Sequence, residues 1–187
     1  MEPTKKQNRE PSRPTKGLVI VNTGNGKGKT TAAMGVLFRA LGHGLKSGVI
    51  QFIKSPGRSY GEALMAQKLE VPFETTGDGF VYDPASNDSA RRLAQAAWEE
   101  AKRWILSGQY DLLILDEITY TMTYGWNQAE EIVKWLKENK PGELHLILTG
   151  RNAPSILVEY ADLVSEITEV KHPYNTMSLP AQKGIDY

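Results

Sequence analysis

The sequence predicts an α/β domain built on a mostly parallel sheet with helices on both faces. Three observations carry this reading. Leu18-Val19-Ile20-Val21 is an unbroken apolar run, the mark of a strand buried on both sides. Similar runs recur along the chain and alternate with helical periods, the order that wraps crossover helices around a parallel sheet. Polar residues follow these runs: Lys29 and Thr30 after the first and its glycine loop, Asp116 and Glu117 after Leu112-Leu113-Ile114-Leu115, and Arg151 after Leu144-His145-Leu146-Ile147-Leu148. The carboxyl ends of strands are where such sheets bind ligands.

Residues 1–16 hold five basic residues, three prolines and no aliphatic side chain except Met1, so they read as a flexible basic tail ahead of a domain spanning 17–187. The first strand is followed by Gly24-Asn25-Gly26-Lys27-Gly28-Lys29-Thr30-Thr31 and then an apolar-periodic helix that stops at Gly42. A second strand is expected over 47–53, a turn-rich loop over 54–59, and a short helix over 61–69. Val71-Pro72-Phe73-Glu74-Thr75 reads as an edge strand, because proline cannot donate to a ladder. A loop carrying Phe80 and Tyr82 precedes the strongest helix, 86–106, whose apolar residues at 90, 93, 94, 97, 98, 101, 104 and 105 form one face and which ends at Gly108. After the 112–115 strand, residues 118–126 read as loop, 128–138 as helix and 144–148 as strand. Pro154 suits the first turn of a short helix, 162–167 closes the sheet, and 169–187 shows no period.

Composition narrows the chemistry. Lys+Arg and Asp+Glu both number 22, so no global basic field draws the chain to nucleic acid or an anionic membrane. There is no cysteine, which excludes disulfides, iron–sulfur clusters, zinc thiolates and a catalytic thiol. No apolar run has membrane-spanning length, and the N-terminal residues lack the apolar core of a secretory signal, so a cytoplasmic location is expected.

Strand, glycine loop, Lys-Thr and helix together are the context of a phosphate-binding P-loop. Glycines let successive N–H groups turn toward an anion, the helix N-terminus adds partial positive charge, Lys29 adds a full one, and Thr30 is placed to ligate Mg²⁺. The general pattern G-x-x-x-x-G-K-[ST] wants glycine where Thr23 stands, so either Thr23 tolerates the turn or the loop begins at Gly24. Apolar run then Asp116-Glu117 is the Walker B pattern. Extended backbone would send the two carboxylates to opposite faces, one to the metal and one in support, and the spacing does not say which. Arg151 and Arg39 are phosphate or ribose candidates, Arg39 being equally suited to a structural ion pair. His43, His145 and His172 show no ligand spacing, and no Ser-His-Asp order is present. These features alone leave three classes open: a small-molecule kinase, an ATPase, or a nucleotide-binding module without chemistry.

Further segments resemble the P-loop-type ATP:corrinoid adenosyltransferases: residues 24–32, Gln51-Phe52-Ile53-Lys54, Leu115-Asp116-Glu117-Ile118-Thr119-Tyr120, Thr149-Gly150-Arg151, Val170-Lys171-His172 and the closing Gly184-Ile185-Asp186-Tyr187. The resemblance runs from about residue 17 onward, and Thr23 then belongs to the family's own loop. It implies a P-loop NTPase fold of RecA-like type. It also implies attack by a reduced Co(I) corrinoid on the 5′-carbon of ATP, with triphosphate leaving. Gly24, Asn25, Gly26, Lys27, Gly28, Lys29, Thr30 and Thr31, with Arg39 and Arg151, would hold ATP. Thr30 with Glu117 or Asp116 would hold Mg²⁺, and Lys29, Thr30 and Glu117 would act in the chemistry. Phe80 matches the first aromatic of a Phe-x-Trp pattern placed beneath the corrin ring, and Tyr82 replaces the tryptophan. A reduced flavoprotein as electron donor and a homodimer are the family's implied partners.

Overall fold

The computed structural model describes residues 16–55, 60–77, 79 and 87–187. The aromatic pair Phe80 and Tyr82, and the basic tail apart from Lys16, lie outside the described residues. Six strands form one sheet: β1 (Val19–Thr23), β2 (Ser47–Phe52), β3 (Phe73–Thr76), β4 (Leu112–Asp116), β5 (His145–Thr149) and β6 (Leu163–Glu166). Their order is β3-β2-β4-β5-β1-β6, and every neighbouring pair is parallel. This is the fold of P-loop NTPase-like proteins, as the sequence predicts.

Helices α1 (Lys29–Gly42), α2 (Gly61–Lys68), α3 (Asp88–Leu106), α4 (Ile118–Thr123), α5 (Ala129–Asn139), α6 (Ser155–Tyr160) and α7 (Pro173–Met177) complete the chain. The period of β4 divides the core. Leu112 and Ile114 pack with Ala33 and Leu37 of α1 on one face, while Leu113 and Leu115 pack with Trp98, Ile105, Ile132 and Leu136 of α3 and α5 on the other. Burial on both faces is why the strand carries no polar residue until Asp116. The edge strands differ: β6 is exposed along its length and β3 is half-buried.

Several expectations are corrected. Residues 118–123 form a helix, not a loop, with Ile118 and Met122 one turn apart and both buried. The β-branched Ile118, Thr119, Thr121 and Thr123 had masked that short period. Pro154 stands at the N-cap of α6, just outside its first turn. The closing segment includes α7, whose start is capped by His172 Nδ1 accepting the Tyr174 N–H at 3.1 Å.

Candidate nucleotide and metal site

The β1–α1 connection is the first wall of the site. Gly28 holds φ 115° at the N-cap of α1 and turns the chain into the helix. Gly24 and Gly26 are required by contact: a Cβ on either would sit within 2.8 Å of the Ile167 carbonyl oxygen, where the loop lies against the exit of β6. The Gly26 N–H donates to that carbonyl at 2.7 Å. Thr23 ends β1 and its hydroxyl accepts the Ala153 N–H at 3.1 Å, so the position that the general pattern gives to glycine is a tie to the β5–α6 connection.

Lys29 is only 7 % exposed, and its ammonium donates to the carbonyls of Gly24 (2.9 Å) and Gly26 (2.8 Å). Burial holds its pKa below the usual lysine value, against the opposing pull of Glu117 and Asp116. Lys27 pairs with Asp186 from the closing segment, which folds back so that Gly184-Ile185-Asp186-Tyr187 lines the same cavity.

The second wall comes from β4. Asp116 is fully buried, and both its oxygens are taken. Oδ1 accepts from Thr30 Oγ1 (2.9 Å) and Thr149 Oγ1 (2.6 Å), and Oδ2 accepts from Gln51 Nε2 (2.8 Å). Glu117 behaves differently. It is not extended: φ is 63°, so the expectation of side chains alternating across a strand fails at this residue. Its N–H donates to Thr149 Oγ1 at 2.9 Å, its side chain lines the cavity, and its Oε2 is buried without a hydrogen-bond partner. Burial, and then the neighbouring Asp116 charge, push its pKa up to about 7, while Lys54, Lys29 and Arg151 pull the other way.

The cavity between these walls measures about 450 Å³ and is also lined by Thr31, Lys54, Glu62, Tyr120 and Arg151. Arg151 is placed by its backbone: its carbonyl accepts from Thr119 Oγ1 at 2.8 Å. Gly150 beside it has φ 136°, and a Cβ there would lie 2.1 Å from that hydroxyl. Of the residues singled out from sequence, Gly26, Lys27, Gly28, Lys29, Thr30, Thr31, Glu117 and Arg151 line this cavity. Gly24 takes part through its carbonyl, Asp116 from behind, and Asn25 is exposed. Arg39 is exposed in the last turn of α1, about 15 Å along the helix axis from Lys29, and does not line the cavity.

Gln51, Lys54, Glu62 and Thr149 join the site without having been assigned roles. Gln51 carried a signal, being a polar side chain inside the apolar run of β2.

The residues fit a hard cation. A hydroxyl, a carboxylate with an orphaned buried oxygen and room for phosphate oxygens and water suit Mg²⁺, which takes few protein ligands. Among the described residues no three His, Asp or Glu side chains converge as a protein-only cage. Thr30 spends its proton on Asp116, which leaves the lone pairs of Oγ1 free.

A glycine loop closing onto a buried lysine, opposite a strand-end carboxylate pair on a parallel sheet, is the arrangement that P-loop NTPase-like folds present to a phosphate group. Comparison with known proteins is more specific. The family model "ATP:corrinoid adenosyltransferase BtuR/CobO/CobP" matches residues 15–187, and the chain belongs to that family. A corrinoid adenosyltransferase of Sinorhizobium sp is 42 % identical over 177 residues, covering 92 % of this chain and 81 % of that protein. One from Escherichia coli strain K12 is 41 % identical over 172 residues, covering 92 % and 86 %. Corrinoid adenosyltransferase CobA of Salmonella typhimurium is 38 % identical over 172 residues, with the same coverage. No helix among the described residues is long and apolar enough to cross a membrane.

Proposed function

We propose that the chain transfers the 5′-deoxyadenosyl group of ATP to the cobalt of a reduced Co(I) corrinoid and releases triphosphate, in adenosylcobalamin synthesis or salvage. The observation that carries this reading is the concentration of Lys27, Lys29, Lys54 and Arg151 around one cavity at the start of α1. That is a site built for a departing polyanion.

In the reaction the Co(I) electron pair forms a bond to C5′ and the C5′–O bond breaks, its electrons passing to the triphosphate oxygen. The nucleophile arrives with the substrate, so the protein needs no activated serine, cysteine or base. Lys29 leaves the loop carbonyls for the phosphates, Lys27 exchanges Asp186 for them, and the loop N–H groups and helix dipole add to the same field. Thr30 and Glu117 would hold Mg²⁺, which supplies further positive charge to the triphosphate, and Asp116 orders the Thr30 hydroxyl. Phe80 and Tyr82 would press on the lower face of the corrin ring and exclude an axial ligand, easing reduction of Co(II) by a reduced flavoprotein. A homodimer and a cytoplasmic location belong to the same reading.

Incubation with ATP, Mg²⁺ and chemically reduced corrinoid tests it. A light-sensitive Co–C product is expected. ATP turnover that ignores corrinoid would support a conventional P-loop kinase or ATPase, and tight nucleotide binding without turnover would support a binding module.

A further inference from the structure

The carboxyl end of β2 carries a closed polar ring, two members of which, Gln51 and Glu62, have no part in the reaction as described. Gln51 Nε2 donates to Asp116 Oδ2 at 2.8 Å and to Glu62 Oε1 at 3.2 Å. Lys54 Nζ donates to the same Glu62 oxygen at 2.9 Å and stands 4.0 Å from Asp116 Oδ2. Asp116 Oδ2 therefore faces two donors, a neutral amide in hydrogen-bond contact and an ammonium at ion-pair range but beyond hydrogen-bond distance.

We propose that Gln51 is a positioning residue for the metal–triphosphate site, holding Asp116 off Lys54 so that Asp116 stays turned toward Thr30 and Thr149. The proposal rests on the functional reading above. A carboxylate closing on an ammonium makes a stronger contact than one made with a neutral amide. With Gln51 gone, Asp116 turns to Lys54, and its other oxygen leaves the two hydroxyls it orders. Thr30 is then free to rotate, and its lone pairs no longer face the cavity.

The choice of side chain fits this task. Gln51 is fully buried, and its Nε2 lies between two carboxylates without neutralising either. That orientation sends the amide oxygen to the opposite side, where it has no hydrogen-bond partner. A buried orphan acceptor is unfavourable for the fold and is retained where orientation of the group matters more. The Tyr60 ring lies 4.7 Å from the Lys54 ammonium, a further contact that favours keeping it beside Asp116.

Calorimetric titration of the full chain with ATP, in excess Mg²⁺ and in EDTA, gives the metal-dependent share of binding as a ratio of two affinities. Lys54→Met alone is titrated beside the other variants, so that any direct contact of Lys54 with phosphate, which is stronger on free ATP than on its magnesium complex, is measured and divided out of the double variant's ratio. Gln51→Met is expected to lower the ratio about 10-fold, the lower end of the loss usual when a supporting partner of a metal ligand is removed, because Gln51 acts on Thr30 through Asp116. Gln51→Asn, whose amide is too short to reach Asp116, lowers it as well and serves if the Met variant does not fold. Adding Lys54→Met to either variant restores most of the ratio, because Asp116 has lost its competing partner. Equal loss of both affinities would reduce Gln51 to a structural role. An unchanged ratio would remove it from the site, and a double variant as poor as the single one would overturn the competition with Lys54. Metal-independent ATP binding by the unaltered chain would instead sink the metal-site reading itself.

Discussion

Thr30 and Asp116 stand 86 positions apart in sequence and share a 2.9 Å hydrogen bond at the carboxyl edge of the sheet, Thr30 in the first turn of α1 and Asp116 at the end of β4, with β5 running between β4 and the β1 strand that leads into α1. That bond joins the phosphate loop to the acidic strand end and separates the work of two adjacent carboxylates. Asp116 is saturated by Thr30, Thr149 and Gln51, whereas Glu117 lines the cavity and has a buried oxygen without a hydrogen-bond partner.

The two acids should therefore fail differently. Glu117→Gln is expected to weaken turnover in a way that recovers as Mg²⁺ is raised. Asp116→Asn presents an N–H to groups that are themselves donors, so it should cost about 1–3 kcal/mol of stability and not recover with metal. Thermal melts and metal titrations of both variants check this, and a metal-rescued defect in Asp116→Asn alone would reverse the assignment.

Glu117 also predicts the sign of a stability profile in the ligand-free chain. Its pKa rises from 4.5 to about 7 on folding, chiefly through burial. Between those values the folded chain holds a proton that the unfolded chain has lost, so this group's contribution to stability falls as pH rises from 4.5 to about 7. Denaturant melts should show wild type losing stability across that window relative to Glu117→Gln. Parallel profiles for the two proteins would contradict the shift.

Much of this was legible in the sequence because it is local. The run Leu18-Val19-Ile20-Val21, the glycine loop and the 3.6-residue period of α3 depend on neighbouring residues, and the structure has them as read. What escaped depends on distant partners or on single backbone angles. Nothing near Gln51 announces that its amide meets Asp116, and nothing in Asp116-Glu117 announces a left-handed Glu117. Asp186 lies in a segment without period, and its pairing with Lys27 comes only from the fold. Arg39 shows the converse, a cation near the loop in sequence that helix length carries away from the cavity.

If Phe80 acts beneath the corrin ring as proposed, its loss should separate reduction from transfer. Phe80→Ala should cripple adenosylation when the substrate is Co(II) corrinoid and a reduced flavoprotein donates electrons. It should keep much of its rate when Co(I) is made chemically. Tyr82→Trp should leave the Co(II)-dependent rate equal or higher. Equal losses for Phe80→Ala in the two assays would reduce that side chain to holding its loop or the ring.

The inorganic product decides the central claim. With ATP, Mg²⁺ and Co(I) corrinoid, phosphorus NMR should show intact triphosphate formed one for one with the Co–C bond, and none when corrinoid is withheld. Release of ADP and phosphate, with or without corrinoid, would contradict attack at C5′ and return the chain to ordinary phosphoryl chemistry.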